Sequence, residues 1–79
     1  MDKSIHTPAH LRLAKLLREI RIDQGLRQID VAERLEEPQS FVAKYEAGER
    51  RLDLVELDAV ATSLGIPLAD LVARWSQAD

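Results

Sequence analysis

The chain has 79 residues, of which 46% are hydrophobic, and this length allows a single folded domain. It contains no cysteine, which excludes disulfides, thiolate metal sites and cysteine nucleophiles. The formal net charge of −3 argues against a polyanionic partner unless the Lys and Arg residues cluster on one surface. The sequence shows neither the apolar run of a signal peptide nor the roughly 18 apolar residues of a membrane span. We therefore expect a cytoplasmic protein with no membrane contact.

The first predicted helix runs from Thr7 to Gly25 and has one apolar face. Thr7 is a favourable capping residue, and Pro8 suits the first helical turn. Gly25 ends the helix because glycine tolerates the left-handed conformation that follows a helix end. The apolar residues of this segment recur at intervals of three and four, which is the helical period: Leu13, Leu16, Leu17 and Ile20.

A short second helix is predicted over residues 28–35, and an unusual turn follows it. The preceding Arg27 is a poor capping residue, and the inward stripe is Val31, Ala32 and Leu35. The sequence Glu36-Glu37-Pro38 then interrupts the pattern. Proline disfavours the helical conformation of the residue before it but fits the first turn of a new helix.

The third predicted helix covers residue 38 to about residue 47, with Gly48 as its terminator. Val42 and Tyr45 face inward, and Phe41 does so in part. Gln39 and Ser40 lie at the start of this helix, and Lys44 shares their outward side because residues four apart are neighbours on a helix.

Two more helices complete an all-α pattern. Asp53 and Glu56 form a reciprocal capping box at the start of the fourth helix, and Pro67 starts the fifth. The predicted inward residues of these helices are Leu54, Leu57, Val60, Ala61 and Leu64 in the fourth, and Leu68, Leu71, Val72 and Trp75 in the fifth. No strand signal is present. The sequence predicts a compact five-helix domain over residues 8–75, flanked by tails at residues 1–7 and 76–79.

The second and third helices, joined by about three residues, fit a helix-turn-helix unit. In such a unit the second helix enters the major groove of DNA, and its N-terminal residues meet base edges. Gln39, Ser40 and Lys44, called here the recognition face, carry suitable chemistry. Glutamine makes two hydrogen bonds to adenine, serine reads several edges, and lysine favours the acceptors of guanine.

The sequence also resembles the Cro/C1-type (XRE-type) helix-turn-helix regulators of phage and bacteria. The resemblance covers residues 13–71 and implies a lambda-repressor-like fold. No single fragment is specific, but four occur in order at the spacings of the family. They are residues 21–28 (RIDQGLRQ), 31–35 (VAERL), 39–51 (QSFVAKYEAGERR) and 64–68 (LGIPL).

The resemblance assigns roles by matching position. It implies that Gln39, Ser40 and Lys44 contact bases, and that Gln28 opens the second helix and binds a DNA phosphate. Arg27 is also expected to contact the DNA backbone. In the stretch after the third helix, Arg50 and Arg51 are expected to do the same. Arg21 and Glu46 match an internal ion pair between the first and third helices.

The turn and the charge balance depart from the family pattern. Arg27 replaces the usual Thr, Ser or Asn cap. The turn usually carries glycine, so a non-glycine residue of Glu36-Glu37-Pro38 is expected to adopt a positive φ. Residues 26–51 hold five basic and six acidic residues, which indicates modest non-specific DNA affinity.

The remaining candidates for chemistry are few. His6 and His10 lie four apart, but no third ligand is near and structural zinc needs four, so neither a metal site nor a cofactor is expected. The acidic residues form no catalytic pair beside a nucleophile or a glycine-rich loop, so no enzyme activity is expected. Trp75 is compatible either with closing the core or with an interface, and Trp75 with Val72 is the candidate dimer patch.

The sequence thus predicts a homodimeric transcriptional regulator, a repressor or a controller-type protein, that binds a palindromic operator in double-stranded DNA. Two alternatives remain at this point. One is an antitoxin that also binds a toxin protein, although no long disordered tail is present to wrap one. The other is a protein-interaction module that keeps the fold without binding DNA, which the acidic balance favours.

Overall fold

The computed structural model describes residues 7–77, which form five α-helices and no strand. The helices are α1 (Pro8–Asp23), α2 (Gln28–Leu35), α3 (Gln39–Glu46), α4 (Leu54–Ser63) and α5 (Leu68–Gln77). The all-α prediction is confirmed. The predicted tails lie largely outside the described residues, and α5 continues to Gln77, past the predicted end of the domain at residue 75.

The helix ends follow local capping rules. The Thr7 side chain accepts a hydrogen bond from the His10 backbone N–H at 3.2 Å and so caps α1. At the start of α4, Asp53 Oδ1 accepts from the Glu56 N–H at 2.7 Å, and Glu56 Oε1 accepts from the Asp53 N–H at 2.9 Å. The predicted reciprocal cap is therefore confirmed.

The turn between α2 and α3 contains a left-handed glutamate. Glu36 has φ 57° and ψ 41°, which confirms the expected positive φ at a non-glycine residue. The Glu37 N–H donates to the Ala32 carbonyl at 3.0 Å, so the last turn of α2 remains hydrogen-bonded. Pro38, with φ −65°, precedes α3. This turn directs α3 away from the axis of α2 without a glycine.

The core receives side chains from all five helices. Its largest fully buried members are Leu17, Val31, Val42, Val60, Leu64 and Leu71. Leu54 was predicted to face inward, and this was wrong, because its side chain is 68% exposed. Leu54 is the first residue of α4 and lies before the turn at which the helix meets the core, so Leu57 and Val60 begin the buried stripe.

Two side chains from the first half of the domain hold the end of α4. The Arg34 Nη1 donates to the Ser63 carbonyl at 2.7 Å, and the Gln24 amide donates to the Leu64 carbonyl. These carbonyls have no partner within the helix, and they carry partial negative charge. The contacts therefore fix α4, and α5 after it, relative to α1 and α2. No helix within residues 7–77 is long and apolar enough to cross a membrane.

Candidate nucleic-acid interface

The recognition helix α3 has one buried side and one exposed side. Val42 and Tyr45 are 0% and 2% exposed and hold the helix to the core. Gln39, Ser40 and Lys44 are all exposed. Ser40 and Lys44 lie four residues apart and therefore share one side of the helix, and Gln39 lies beside Ser40 in the first turn of α3. These exposed side chains present an amide, a hydroxyl and an ammonium group.

A hydrogen-bonded chain of side chains connects α1 to the start of α3. Arg21 donates to both carboxylate oxygens of Glu46, at 2.7 and 2.9 Å, and also to the Leu26 carbonyl at 2.9 Å. The Gln28 amide donates to Glu46 Oε1 at 3.0 Å. The Gln39 amide then donates to Gln28 Oε1 at 3.4 Å. The first residue of the recognition face is therefore linked through Gln28 to the Arg21–Glu46 pair.

The Arg21–Glu46 pair is well shielded from water. The Arg21 side chain is 11% exposed, and that of Glu46 is 3% exposed. The hydrogen bonds with Glu46 raise the pKa of the Arg21 guanidinium. A bidentate pair of this kind fixes the planes of both groups. It therefore links α1 to α3 and compensates the charges of two side chains that are largely shielded from water.

The inner side of α3 contains an aromatic pair. Phe41 and Tyr45 pack edge to face, with ring centroids 5.7 Å apart and planes at 83°, an arrangement that aromatic quadrupoles favour. Burial raises the pKa of the Tyr45 phenol, so the ring remains neutral over the physiological range.

Arg27 and Asp30 form a local cluster at the start of α2. The Asp30 carboxylate accepts from the Arg27 backbone N–H at 2.7 Å and from its guanidinium at 2.9 and 3.1 Å. The Arg27 side chain cannot cap a backbone N–H of α2, because a guanidinium has no hydrogen-bond acceptor. These hydrogen bonds, with the guanidinium first, lower the pKa of Asp30 from 3.8 to about 2. The cluster holds Arg27 beside Gln28 at the N-terminus of α2, the end of the helix that attracts anions.

The lowered pKa gives a pH-dependent expectation. A carboxyl group whose folded-state pKa is depressed stabilises the fold above its unfolded pKa, and the contribution is lost as the pH falls through the folded value. For Asp30 this window runs from its ordinary pKa of 3.8 down to about 2. As the pH falls through that window, the melting temperature of Asp30→Asn should therefore decrease less than that of the parent. Thermal melts of both proteins between pH 5 and pH 2 measure this, and parallel curves would contradict the role of Asp30.

Arg50 and Arg51 both lie between α3 and α4, but Arg50 is partly buried and Arg51 is exposed. The Arg50 guanidinium donates to Glu56 at 2.8 and 3.2 Å and to the Arg51 carbonyl at 2.8 Å. It also lies over the Phe41 ring, 4.6 Å from the centroid. The Arg51 residue is exposed. The sequence indicated Glu56 only as a capping residue, and the Arg50–Glu56 pair was missed because a six-residue separation across a loop has no periodic signature.

The candidate dimer patch is only partly exposed. Val72 is 41% exposed, and Trp75 is half-buried. The Trp75 indole N–H donates to the Ala9 carbonyl at 2.9 Å, and the Arg12 guanidinium lies 5.4 Å from the ring centroid. Trp75 thus closes the contact between α5 and α1, while Val72 beside it faces outward. Both residues line one apolar pocket, together with Leu13, Leu57 and Leu71.

Of the two histidines, His6 lies outside the residues that the structure describes. Within residues 7–77, no group of three His, Cys, Asp or Glu side chains is placed to hold a metal ion. His10 lies in the first turn of α1, where its backbone N–H meets the Thr7 cap.

The geometry matches solved helix-turn-helix proteins. An XRE-family like protein from Pseudomonas syringae pv. tomato str. DC3000 is 38% identical, with 94% of this chain and 90% of that one covered and a TM-score of 0.84. The restriction-modification controller protein C.AhdI from Aeromonas hydrophila is 33% identical over 77% of this chain and 92% of its own, with a TM-score of 0.72.

A more distant match supports the fold alone. The controller protein C.Esp1396I, solved as a tetramer in complex with its natural 35 base-pair operator, has a TM-score of 0.85 at 15% identity, with 91% of this chain and 95% of that one covered. Among curated protein sequences, none matches significantly. A helix-turn-helix family profile matches residues 17–71, more than half of the chain. The chain therefore belongs to the Cro/C1-type (XRE) helix-turn-helix family of DNA-binding transcriptional regulators.

Proposed function

We propose that this protein is a sequence-specific repressor or controller-type regulator that binds a palindromic operator as a homodimer in the cytoplasm. The observation that carries the proposal is the recognition face: Gln39, Ser40 and Lys44 are exposed together on α3, and Gln28 holds the Gln39 amide. In this arrangement the amide, hydroxyl and ammonium groups meet base edges in the major groove. The similarity to C.AhdI, a restriction-modification controller, supports a controller-type role.

Backbone contacts set the register of the recognition helix. We assign them to Arg27 and Gln28 at the N-terminus of α2 and to Arg51 after α3. Contacts of this kind release counterions, so the affinity for the operator should fall steeply as salt rises. A salt titration with an operator duplex also separates this proposal from a protein-interaction module of the same fold, which would show no such dependence.

Lys44 provides the sharpest test of base recognition. Lys44→Ala should relax the preference at one operator position and cost about 1–3 kcal/mol at the preferred base. Lys15→Ala is the matched control, because it removes the same charge from an exposed side chain on α1. The measurement is the relative affinity of each variant across a library of single-base operator changes. An unchanged preference in Lys44→Ala would exclude Lys44 from base contact.

The dimer proposal rests on where apolar side chains remain exposed. Val55 on α4 is 80% exposed, and Val72 on α5 is 41% exposed with Trp75 beside it. Pairing through these helices would place two recognition helices about 34 Å apart on one face of the DNA.

Val72→Glu tests the interface. A carboxylate placed in an apolar contact must be desolvated without a partner, so this variant should sediment as a monomer and lose cooperative binding to a two-half-site operator. Ile22→Glu is the matched control, since Ile22 is 49% exposed on α1, outside the proposed interface. A Val72→Glu protein that stays dimeric at micromolar concentration would place the interface elsewhere.

A further inference from the structure

Arg50 contacts three parts of the molecule at once. Its guanidinium donates to both carboxylate oxygens of Glu56 on α4, at 2.8 and 3.2 Å, and to the Arg51 carbonyl of the loop at 2.8 Å. The same group lies 4.6 Å from the centroid of the Phe41 ring on α3. One side chain therefore joins the recognition helix, the loop after it and the first turn of α4.

This junction lies between two helices that pack mainly against other elements. The recognition helix packs mainly against α2 and α1, whereas α4 packs against α2 and α5. Residues 47–53, which connect α3 to α4, form no helix. Leu52 anchors this loop at the core, and the Arg50 guanidinium joins the loop to α3 by stacking on Phe41 and to α4 by its hydrogen bonds with Glu56.

The guanidinium N–H groups of Arg50 donate mainly to acceptors within the protein. Bidentate pairing with a carboxylate is the strongest geometry available to a guanidinium, and stacking on an aromatic face adds to it. The Glu56 carboxylate is itself fixed by the Asp53 N–H at 2.9 Å. The hydrogen bonds of the pair raise the pKa of Arg50 and lower the pKa of Glu56, so both groups stay charged at neutral pH.

We infer that Arg50 is a positioning residue for DNA binding: paired with Glu56 and stacked on Phe41, it holds the loop that presents Arg51 to the DNA backbone, and it is not itself a phosphate contact. This role rests on the proposed function. It has an unusual consequence, because Glu56 is an acidic residue whose removal should weaken the binding of a polyanion.

Glu56→Gln is the central variant, since glutamine preserves the capping box but removes the ion pair. We expect its affinity for the operator duplex to fall about threefold to tenfold, a coupling typical of a broken contact pair. Asp58→Asn is the matched control because it makes the same charge change at an exposed position of α4. Its affinity should stay level or rise slightly, as expected for a lost repulsion.

Arg50→Lys keeps the charge but loses the bidentate and stacking geometry, and it should weaken binding as much as Glu56→Gln. The double variant should bind about as well as either single variant. The slope of log affinity against log salt should fall in these three variants by no more than it falls in Arg51→Ala, because Arg50 acts on the DNA only through Arg51. Arg51→Ala should reduce that slope by about one. All titrations are run at a temperature at which each variant keeps the helical circular dichroism of the parent.

Two results would overturn this role. One is a Glu56→Gln protein that binds the operator as tightly as the parent or more tightly. The other is an Arg50→Gln change that lowers the salt slope by about one in a protein that already carries Arg51→Ala, because only a direct phosphate contact of Arg50 would have that effect. A parent protein that binds no duplex would overturn the proposed function and this role with it, so the two failures are distinguishable.

Discussion

Replacing Glu46 with alanine should lower the free energy of unfolding by about 3–5 kcal/mol, because it leaves the Arg21 guanidinium shielded from water without its counter-charge. The Arg21 side chain is 11% exposed and keeps only its hydrogen bond to the Leu26 carbonyl. The variant also removes the acceptor of the Gln28 amide. Operator affinity should therefore fall together with stability, through the loss of the Gln28–Gln39 link.

Chemical denaturation of the parent and of Glu46→Ala measures this loss. Glu19→Ala is the matched control: Glu19 pairs with Lys15 at 4.0 Å, but the two side chains are 56% and 78% exposed. A pair so exposed contributes about 0–1 kcal/mol. Equal midpoints for Glu46→Ala and Glu19→Ala would mean that the Arg21–Glu46 pair does not stabilise the fold.

Leu71→Ala should cost about 2–5 kcal/mol, the range for truncating a fully buried leucine. Leu71 is 0% exposed and is the one fully buried side chain of α5 within the described residues. Its loss would loosen the packing of α5 against α4 and α1, and with it the surface that carries Val72. In a domain of this size such a loss consumes a large part of the total stability.

The control for Leu71→Ala is Ile22→Ala, an aliphatic truncation at a side chain that is 49% exposed. Substitutions at such positions usually change stability by less than about 0.5 kcal/mol. Thermal melts of both variants at several protein concentrations separate an effect on the fold from one on association. A Leu71→Ala protein that melts with the parent would show that α5 is not anchored by this residue.

Local features of the fold were predictable because they depend on neighbouring residues. Thr7 and the Asp53–Glu56 box mark helix starts through their own hydrogen bonds. The left-handed Glu36 followed from a turn that lacks glycine and is closed by Pro38. Such signals act over three or four residues, the range over which a sequence pattern is informative.

Features that depend on how helices meet were not predictable in the same way. Leu54 fits the helical period of α4 but lies beyond the edge of the core. The Trp75 indole bonds to Ala9, 66 residues away, and Arg34 caps the end of α4 from α2. No periodicity specifies such contacts, because they are set by the angles at which the helices pack.

Part of the acidic composition has a structural role. Two carboxylates of the helix-turn-helix unit and one just beyond it are engaged within the protein: Asp30 with Arg27, Glu46 with Arg21, and Glu56 with Arg50. These groups order the N-terminus of α2, the recognition helix and the following loop. A negative net charge is therefore compatible with DNA binding when the acidic residues position the basic and polar ones.

Selection of bound duplexes from a random DNA pool, with the mass of the recovered complex measured under native conditions, tests the central proposal most directly. The account predicts one enriched palindrome with half-site centres about one helical turn apart, bound by two protomers. The same selection with Gln39, Ser40 and Lys44 replaced by alanine should enrich no sequence. A parent protein that enriches no sequence, or that binds a single half-site as a monomer, would contradict the account.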